Sequence, residues 1–192
     1  MPYDESDPAD VPDALGTVAD SGRGSLPYAL IHGESLVACA SWALGDAGVT
    51  LVDFATTWEG IRAGDEPFVL HDALCPMTPA EFIAACVRRS VDTGSVVVGV
   101  RPVTDTVKEV SGGFVGRTVD RDSLHAVASP IVLPAAVVAA LTELPSLDFV
   151  PLVEALAARF PIEYVDAPPS ARRVASPEDI RLLEALTSES PG

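Results

Sequence analysis

The chain has 192 residues, 48% of them hydrophobic, and 28 acidic against 12 basic residues give a formal net charge of −16. That length suits one domain with material for a substantial core. The charge excludes nucleic acid as the main partner, because phosphate binding needs clustered Lys and Arg, and it reads first as a solvated acidic surface.

Residues 1–14 carry Asp4, Glu5, Asp7, Asp10 and Asp13 with three prolines and no base, an acidic flexible tail and not a secretory signal. Leu15–Ala19 suits a short strand, followed by a flexible Ser21-Gly22-Arg23-Gly24-Ser25 loop. Apolar residues at helical spacing from Ser35 to Leu44 predict a helix with Gly45 as its stop. Gly48–Phe54 reads as a strand, Thr56–Ala63 as a short helix and Phe68–His71 as a buried strand ended by Pro76.

Thr78 is placed as an N-cap with Pro79 at the first helical position, and the helix runs to about Val91. Gly94–Val100 is a strand buried on both faces. Thr106–Val110 and Phe114–Val119 flank Gly112-Gly113 as a hairpin. Ala126–Leu133 returns to the sheet, Pro134–Leu141 and Asp148–Phe160 are helical, Ile162–Val165 is a strand, and Ser176-Pro177-Glu178-Asp179 opens a helix ending near Leu186.

This alternation predicts an α/β fold with a doubly wound, mostly parallel sheet and one hairpin excursion at about residues 104–124. The expected organisation is an acidic tail over 1–14 and a single domain over 15–192. The longest apolar stretch, Ile131–Leu141, is too short to span a bilayer and contains Pro134, so no membrane partner is expected and the cytoplasm is the expected location. Cys39, Cys75 and Cys86 form no CxxC pair, which argues against a disulfide framework or a zinc site.

The densest chemical signal is Glu66-Pro67-Phe68-Val69-Leu70-His71-Asp72-Ala73-Leu74-Cys75-Pro76. A carboxylate at the carboxyl end of a buried strand sits where open α/β sheets bind ligands, although an aspartate there also serves as a simple turn cap. Together with Pro102-Val103-Thr104-Asp105-Thr106-Val107-Lys108 and Thr118-Val119-Asp120-Arg121, this segment resembles the 2-C-methyl-D-erythritol 4-phosphate cytidylyltransferases of the non-mevalonate isoprenoid pathway.

The resemblance implies a nucleotide-diphospho-sugar-transferase type of sheet with a protruding hairpin arm, and a reaction joining CTP to a polyol phosphate with Mg²⁺. It assigns Asp72 as the metal ligand and a catalytic residue within the family's His-Asp-Ala-Ala-Arg-Pro run, whose Arg is Cys75 here. Arg23 becomes the arginine of the triphosphate loop, with Gly22, Gly24 and Ser25 as nucleotide-binding residues and Tyr28 where the pattern has a lysine. The family's Gly-Gly-x-x-Arg-x-x-Ser segment is missing between Gly48 and Glu66, where Arg62 stands as a displaced remnant and Trp58 either packs on the sheet or faces the cleft.

On the arm, Asp105, Thr106 and Arg121 fall on substrate-binding positions, and the arm implies a homodimer. Surface charge on a two-stranded ribbon is the plainer reading of those residues. Arg173 falls on the catalytic lysine of the Asn-x-Lys-x-Thr-x-Pro-Glu-Asp stretch, and Ser170 falls near its aspartate. A tyrosine is neutral near pH 7 and cannot offset the charge of a reacting phosphate. The reading is a pseudoenzyme with nucleotidyl transfer lost or strongly reduced; the alternative is an active transferase for methylerythritol phosphate or a related polyol phosphate.

Overall fold

The computed structural model describes residues 11–53, 55–102, 108–111, 114–118 and 125–188. The β-branched apolar runs become β1 (Ala14–Ala19), β4 (Val49–Leu51), β5 (Phe68–Asp72), β6 (Val96–Pro102), β9 (His125–Leu133) and β10 (Ile162–Asp166). They form one six-stranded sheet in the order β10-β6-β9-β5-β1-β4. All neighbours run parallel except β9, which is antiparallel to both β5 and β6. Two further pairs stand outside this sheet: β2 (Leu30–Ile31) with β3 (Glu34–Ser35), and β7 (Lys108–Ser111) with β8 (Phe114–Thr118). The second pair is the expected hairpin.

The chain leaves β1 for β4 on one side and returns past β1 to β5 on the other. That reversal opens a crevice at the carboxyl ends of β1 and β5, the place where doubly wound sheets hold ligands. The register pairs Ala19 with Asp72 at that edge.

Helices cover both faces. On one, Leu44 of α1 (Leu36–Asp46) and Phe82, Ile83 and Val87 of α3 (Ala80–Thr93) pack with Val69, Val97 and Val132. On the other, Ile61 of α2 (Trp58–Arg62), Val137 and Val138 of α4 (Ala135–Ala140) and Leu152 and Leu156 of α5 (Phe149–Ala157) pack with Phe68, Leu70, Val98 and Ile131. A third cluster seats α6 (Pro177–Thr187) through Ile180 and Leu183 against Ile31, Leu36, Leu74 and Val174. Each fully buried apolar side chain contributes about 1.5–3 kcal/mol, so three such residues in β5 help offset the cost of burying His71 and Asp72 beside them.

Several local expectations change. Helix α1 does not stop at Gly45; it continues to Asp46, and the left-handed residue beyond it is Gly48 (φ 81°). Pro79 occupies the cap position of α3, and the Thr78 hydroxyl donates to the Cys75 carbonyl at 2.9 Å. The helix also runs past Val91 to Thr93, where Gly94 takes the left-handed conformation. Of the strand expected over Gly48–Phe54, the described residues form β4 from Val49 to Leu51, and the Val52 N–H still donates to the Gly16 carbonyl at 2.9 Å. Among the described residues, no helix is long and apolar enough to cross a membrane.

Candidate functional site at the carboxyl ends of β1 and β5

Strand β5 is buried along its length and delivers His71 and Asp72 to the crevice edge. Ser129 of β9 holds both, its Oγ bonded to His71 Nδ1 and accepting the Asp72 N–H at 3.0 Å. Burial pushes the His71 pKa down to about 4 against the smaller opposing pull of Asp72, so its ring is neutral at pH 7. Its Nε2 is buried and has no partner among the described residues. His71 and Ser129 meet here although 58 residues apart in the chain, both fully buried. A serine so enclosed orients its neighbours and is out of reach of a substrate.

Asp72 is 2% exposed. Its Oδ1 accepts from Arg23 Nε at 2.6 Å and from the Leu74 N–H at 2.9 Å, and its Oδ2 accepts from Arg173 Nε at 3.1 Å. Burial alone would raise its pKa, but the hydrogen bonds from Arg23, Leu74 and Arg173 and the Arg23 charge together hold it below the ordinary carboxylate value.

Arg23 reaches Asp72 from the loop after β1. Gly22 (φ 77°) and Gly24 (φ 61°) give that loop its left-handed turns, and both have open space where a Cβ would stand. They are needed for the backbone path. Arg23 also donates to the Ser21 carbonyl at 2.7 Å and the Leu147 carbonyl at 3.2 Å, and its guanidinium lies 5.7 Å from the Phe149 ring centre. Its side chain is only 7% exposed, whereas that of Arg173 is 45% exposed.

Ser25 accepts the Tyr28 N–H through its carbonyl at the start of a 3-10 turn, Leu26–Tyr28, and its side chain caps nothing there. Tyr28 is exposed and donates its hydroxyl to Asp20 at 3.2 Å; that bond raises its pKa, so it stays neutral. Further cations lie at the adjoining strand ends. Arg101 donates to the Ala167 carbonyl at 2.9 Å, and burial and the Arg172 charge both lower its pKa. Arg172 stands 3.8 Å from Asp179.

The structure therefore brings Arg23, Asp72 and Arg173 together and places Gly22, Gly24 and Ser25 on the loop that delivers Arg23. Trp58 packs edge-on against Phe68 at 5.5 Å and donates to the Leu141 carbonyl, which gives it the sheet-packing role. Arg62 is spent on the Ala139 carbonyl. Cys75 is fully buried and burial raises its thiol pKa strongly, so it is an inert core residue and not a nucleophile. Asp105, Thr106 and Arg121 lie outside the described residues. Ser129, Leu147 and Phe149 were not singled out in the sequence; the one available signal was a hydroxyl interrupting the apolar Ala126–Leu133 run.

The donor set does not fit a divalent cation. Both oxygens of Asp72 are taken by guanidinium groups, Asp20 is held by Tyr28, and Ser170 supplies no carboxylate. Among the described residues no group of three or more His, Cys, Asp or Glu side chains could hold a metal. Mg²⁺ favours hard oxygen donors, and the two guanidinium charges already on Asp72 oppose a divalent cation there.

The fold and site define a doubly wound α/β protein with a buried carboxylate at the strand ends where its sheet reverses. Residues 52–188 match the sequence profile of IspD, 2-C-methyl-D-erythritol 4-phosphate cytidylyltransferase. A curated protein of that name from Frankia casuarinae is 40% identical over 135 residues, 66% of this chain and 49% of the relative. The one from Corynebacterium glutamicum (strain ATCC 13032) is 32% identical over 170 residues, 84% of this chain and 63% of the relative. The chain thus spans between 49% and 63% of the length of these two curated relatives. The crystal structure of 2-C-methyl-D-erythritol 4-phosphate cytidylyltransferase from Thermus thermophilus is 22% identical with a TM-score of 0.63, covering 89% of this chain and 96% of that one, which shows a shared fold. This chain belongs to the 2-C-methyl-D-erythritol 4-phosphate cytidylyltransferase family.

Proposed function

We propose that this family member has lost, or largely lost, nucleotidyl transfer and serves as a small-molecule-binding or interaction module. The observation that carries the reading is the Arg23–Asp72 bridge: the loop's arginine lies folded into the crevice, and the carboxylate is already matched with two guanidinium groups. Transfer from CTP needs cations facing the developing phosphate charge. Tyr28 is neutral where the family pattern has a lysine, and removing one such cation costs on the order of several kcal/mol of transition-state stabilisation. The cytoplasm is the location in this reading, residues 15–192 act as one domain, and Asp105, Thr106 and Arg121 sit on an arm that joins two copies.

The test is pyrophosphate release with CTP, Mg²⁺ and methylerythritol phosphate. The expected result is no release above the protein-free blank, with a partial gain in Tyr28→Lys. Turnover at about 1 s⁻¹ or faster, an ordinary enzymatic rate, would overturn the reading. One observation favours the alternative, an active CTP- and Mg²⁺-dependent transferase acting on a polyol phosphate: Arg23, Asp72 and Arg173 converge on one point. The same assay, run with other polyol phosphates, decides between the two.

A further inference from the structure

Asp72 is the residue through which a family transferase would take its metal, and the charges around it do not suit that role. Its two oxygens accept three hydrogen bonds, two from guanidinium groups at 2.6 and 3.1 Å. With Arg23 and Arg173 both charged, the three side chains carry one net positive charge before any ligand arrives. A divalent cation would have to displace a guanidinium whose side chain is 7% exposed and which also bonds two backbone carbonyls. It would then stand beside two fixed cations. Each such contact is a repulsion between like charges, doubled by the cation's second charge.

An anion meets the opposite field. Arg173 is 45% exposed, and only its Nε is used among the described residues, so its two Nη groups remain for a ligand. Arg172 is its chain neighbour, and the pKa of Arg101 is lowered by burial first and then by the nearby Arg172 charge. Arg23, Arg101, Arg172 and Arg173 thus lie at one end of the sheet with Asp72 and Asp179 paired among them, in a chain whose net charge is −16.

We infer that Asp72 is an internal counter-ion and not a metal ligand, and that the crevice binds a phosphate-bearing small molecule through Arg173 without a divalent metal. The inference rests on the proposed loss of transfer, since a chain that moves no nucleotidyl group needs no metal at its phosphates. Asp72 holds Arg23 and Arg173 in place and moderates their charge, so its removal strengthens anion binding. A metal ligand would behave in the opposite way.

The experiment is an NMR titration of the ¹⁵N-labelled full chain with inorganic phosphate, which holds Mg²⁺ weakly by itself. Shifts of the Arg173 Nε–Hε and Leu74 amide signals are followed in EDTA and again in excess Mg²⁺. The expected result is the same Kd within about twofold in both, about tenfold weaker binding in Arg173→Ala, and about tenfold tighter binding in Asp72→Asn, a change of about 1.4 kcal/mol in each direction. Mn²⁺ added without phosphate should broaden the Leu74 amide no more in the wild type than in Asp72→Asn.

Binding that appears only with Mg²⁺, selective broadening of Leu74 by Mn²⁺, weaker binding in Asp72→Asn, or no phosphate binding in any condition would each overturn the inference. If Asp72→Asn does not fold, the wild-type comparison with and without Mg²⁺ decides alone. A metal-dependent phosphate site with no pyrophosphate release sinks this inference and leaves the silent-transferase reading standing, while pyrophosphate release sinks that reading.

Discussion

At the end of β5, burial acts on two adjacent ionisable residues with opposite results. Asp72 stays charged because Arg23 and Arg173 reach it, while His71, with only the smaller pull of Asp72 to oppose burial, stays neutral. For His71 the folded pKa of about 4 lies below the ordinary 6.5, so the unfolded chain binds the proton first as pH falls. Stability is then full above about pH 6.5 and declines between about 6.5 and 4. Asp72, also depressed, adds a loss that begins as pH falls through the unfolded carboxylate value, near 4. Urea unfolding should show the wild type about 2 kcal/mol less stable at pH 5 than at pH 7 from His71 alone, at about 1.4 kcal/mol per unit. A His71→Gln variant should lack that slope; an equal slope in both would place the proton elsewhere. Asp72, Arg23 and Arg173 were legible in the sequence because short motifs carry them. Ser129 and the Leu147 carbonyl were not, since 57 and 124 residues separate them from the groups they bind. Only tertiary packing makes those contacts.

Among the elements, the β6–β9 pairing decides where Ser129 sits. The register shifts between Val98 and Val100, and a Cβ on Gly99 would lie 2.6 Å from the Ser129 carbonyl oxygen. Gly99→Ala must push β9 away from β6, and overpacking of this kind costs about 1–3 kcal/mol. The same push moves Ser129 from His71 and Asp72, so the variant's loss in urea midpoint should come with shifted His71 and Asp72 NMR signals. A stable variant with unchanged signals would contradict the role given to Gly99. Element order was readable from apolar runs and caps: Ser35 and Ser176 cap α1 and α6 through their hydroxyls, to the Ala38 and Asp179 N–H groups. Thr78 misled because a hydroxyl can satisfy a carbonyl within its own turn as readily as it caps a helix. Gly45 misled because glycine costs a helix only about 1 kcal/mol, too little to end one that buried Leu44 and Ala47 hold on either side.

At the scale of the molecule, the mostly parallel sheet follows from strands that are apolar on both faces, and that signal is plain in Val96–Val100 and Phe68–Leu70. Which strands neighbour each other was not legible, because pairing order depends on contacts far apart in sequence. The hairpin arm sets the expected assembly. An isolated two-stranded ribbon is marginal in water, so sedimentation should find a dimer, and a chain with residues 104–124 replaced by a short Gly-Ser loop should run as a monomer. A dimer that survives the replacement would move the interface elsewhere.

On the proposed reading, Arg23 holds Asp72 where the family would hold metal and triphosphate, and a crystal grown with CTP and Mg²⁺ is the decisive experiment. Arg23 Nε should remain on Asp72, close to the present 2.6 Å, with no metal density on the carboxylate. An ordered triphosphate wrapped by residues 22–24, with Mg²⁺ on Asp72 and Arg23 swung onto the phosphates, would contradict it.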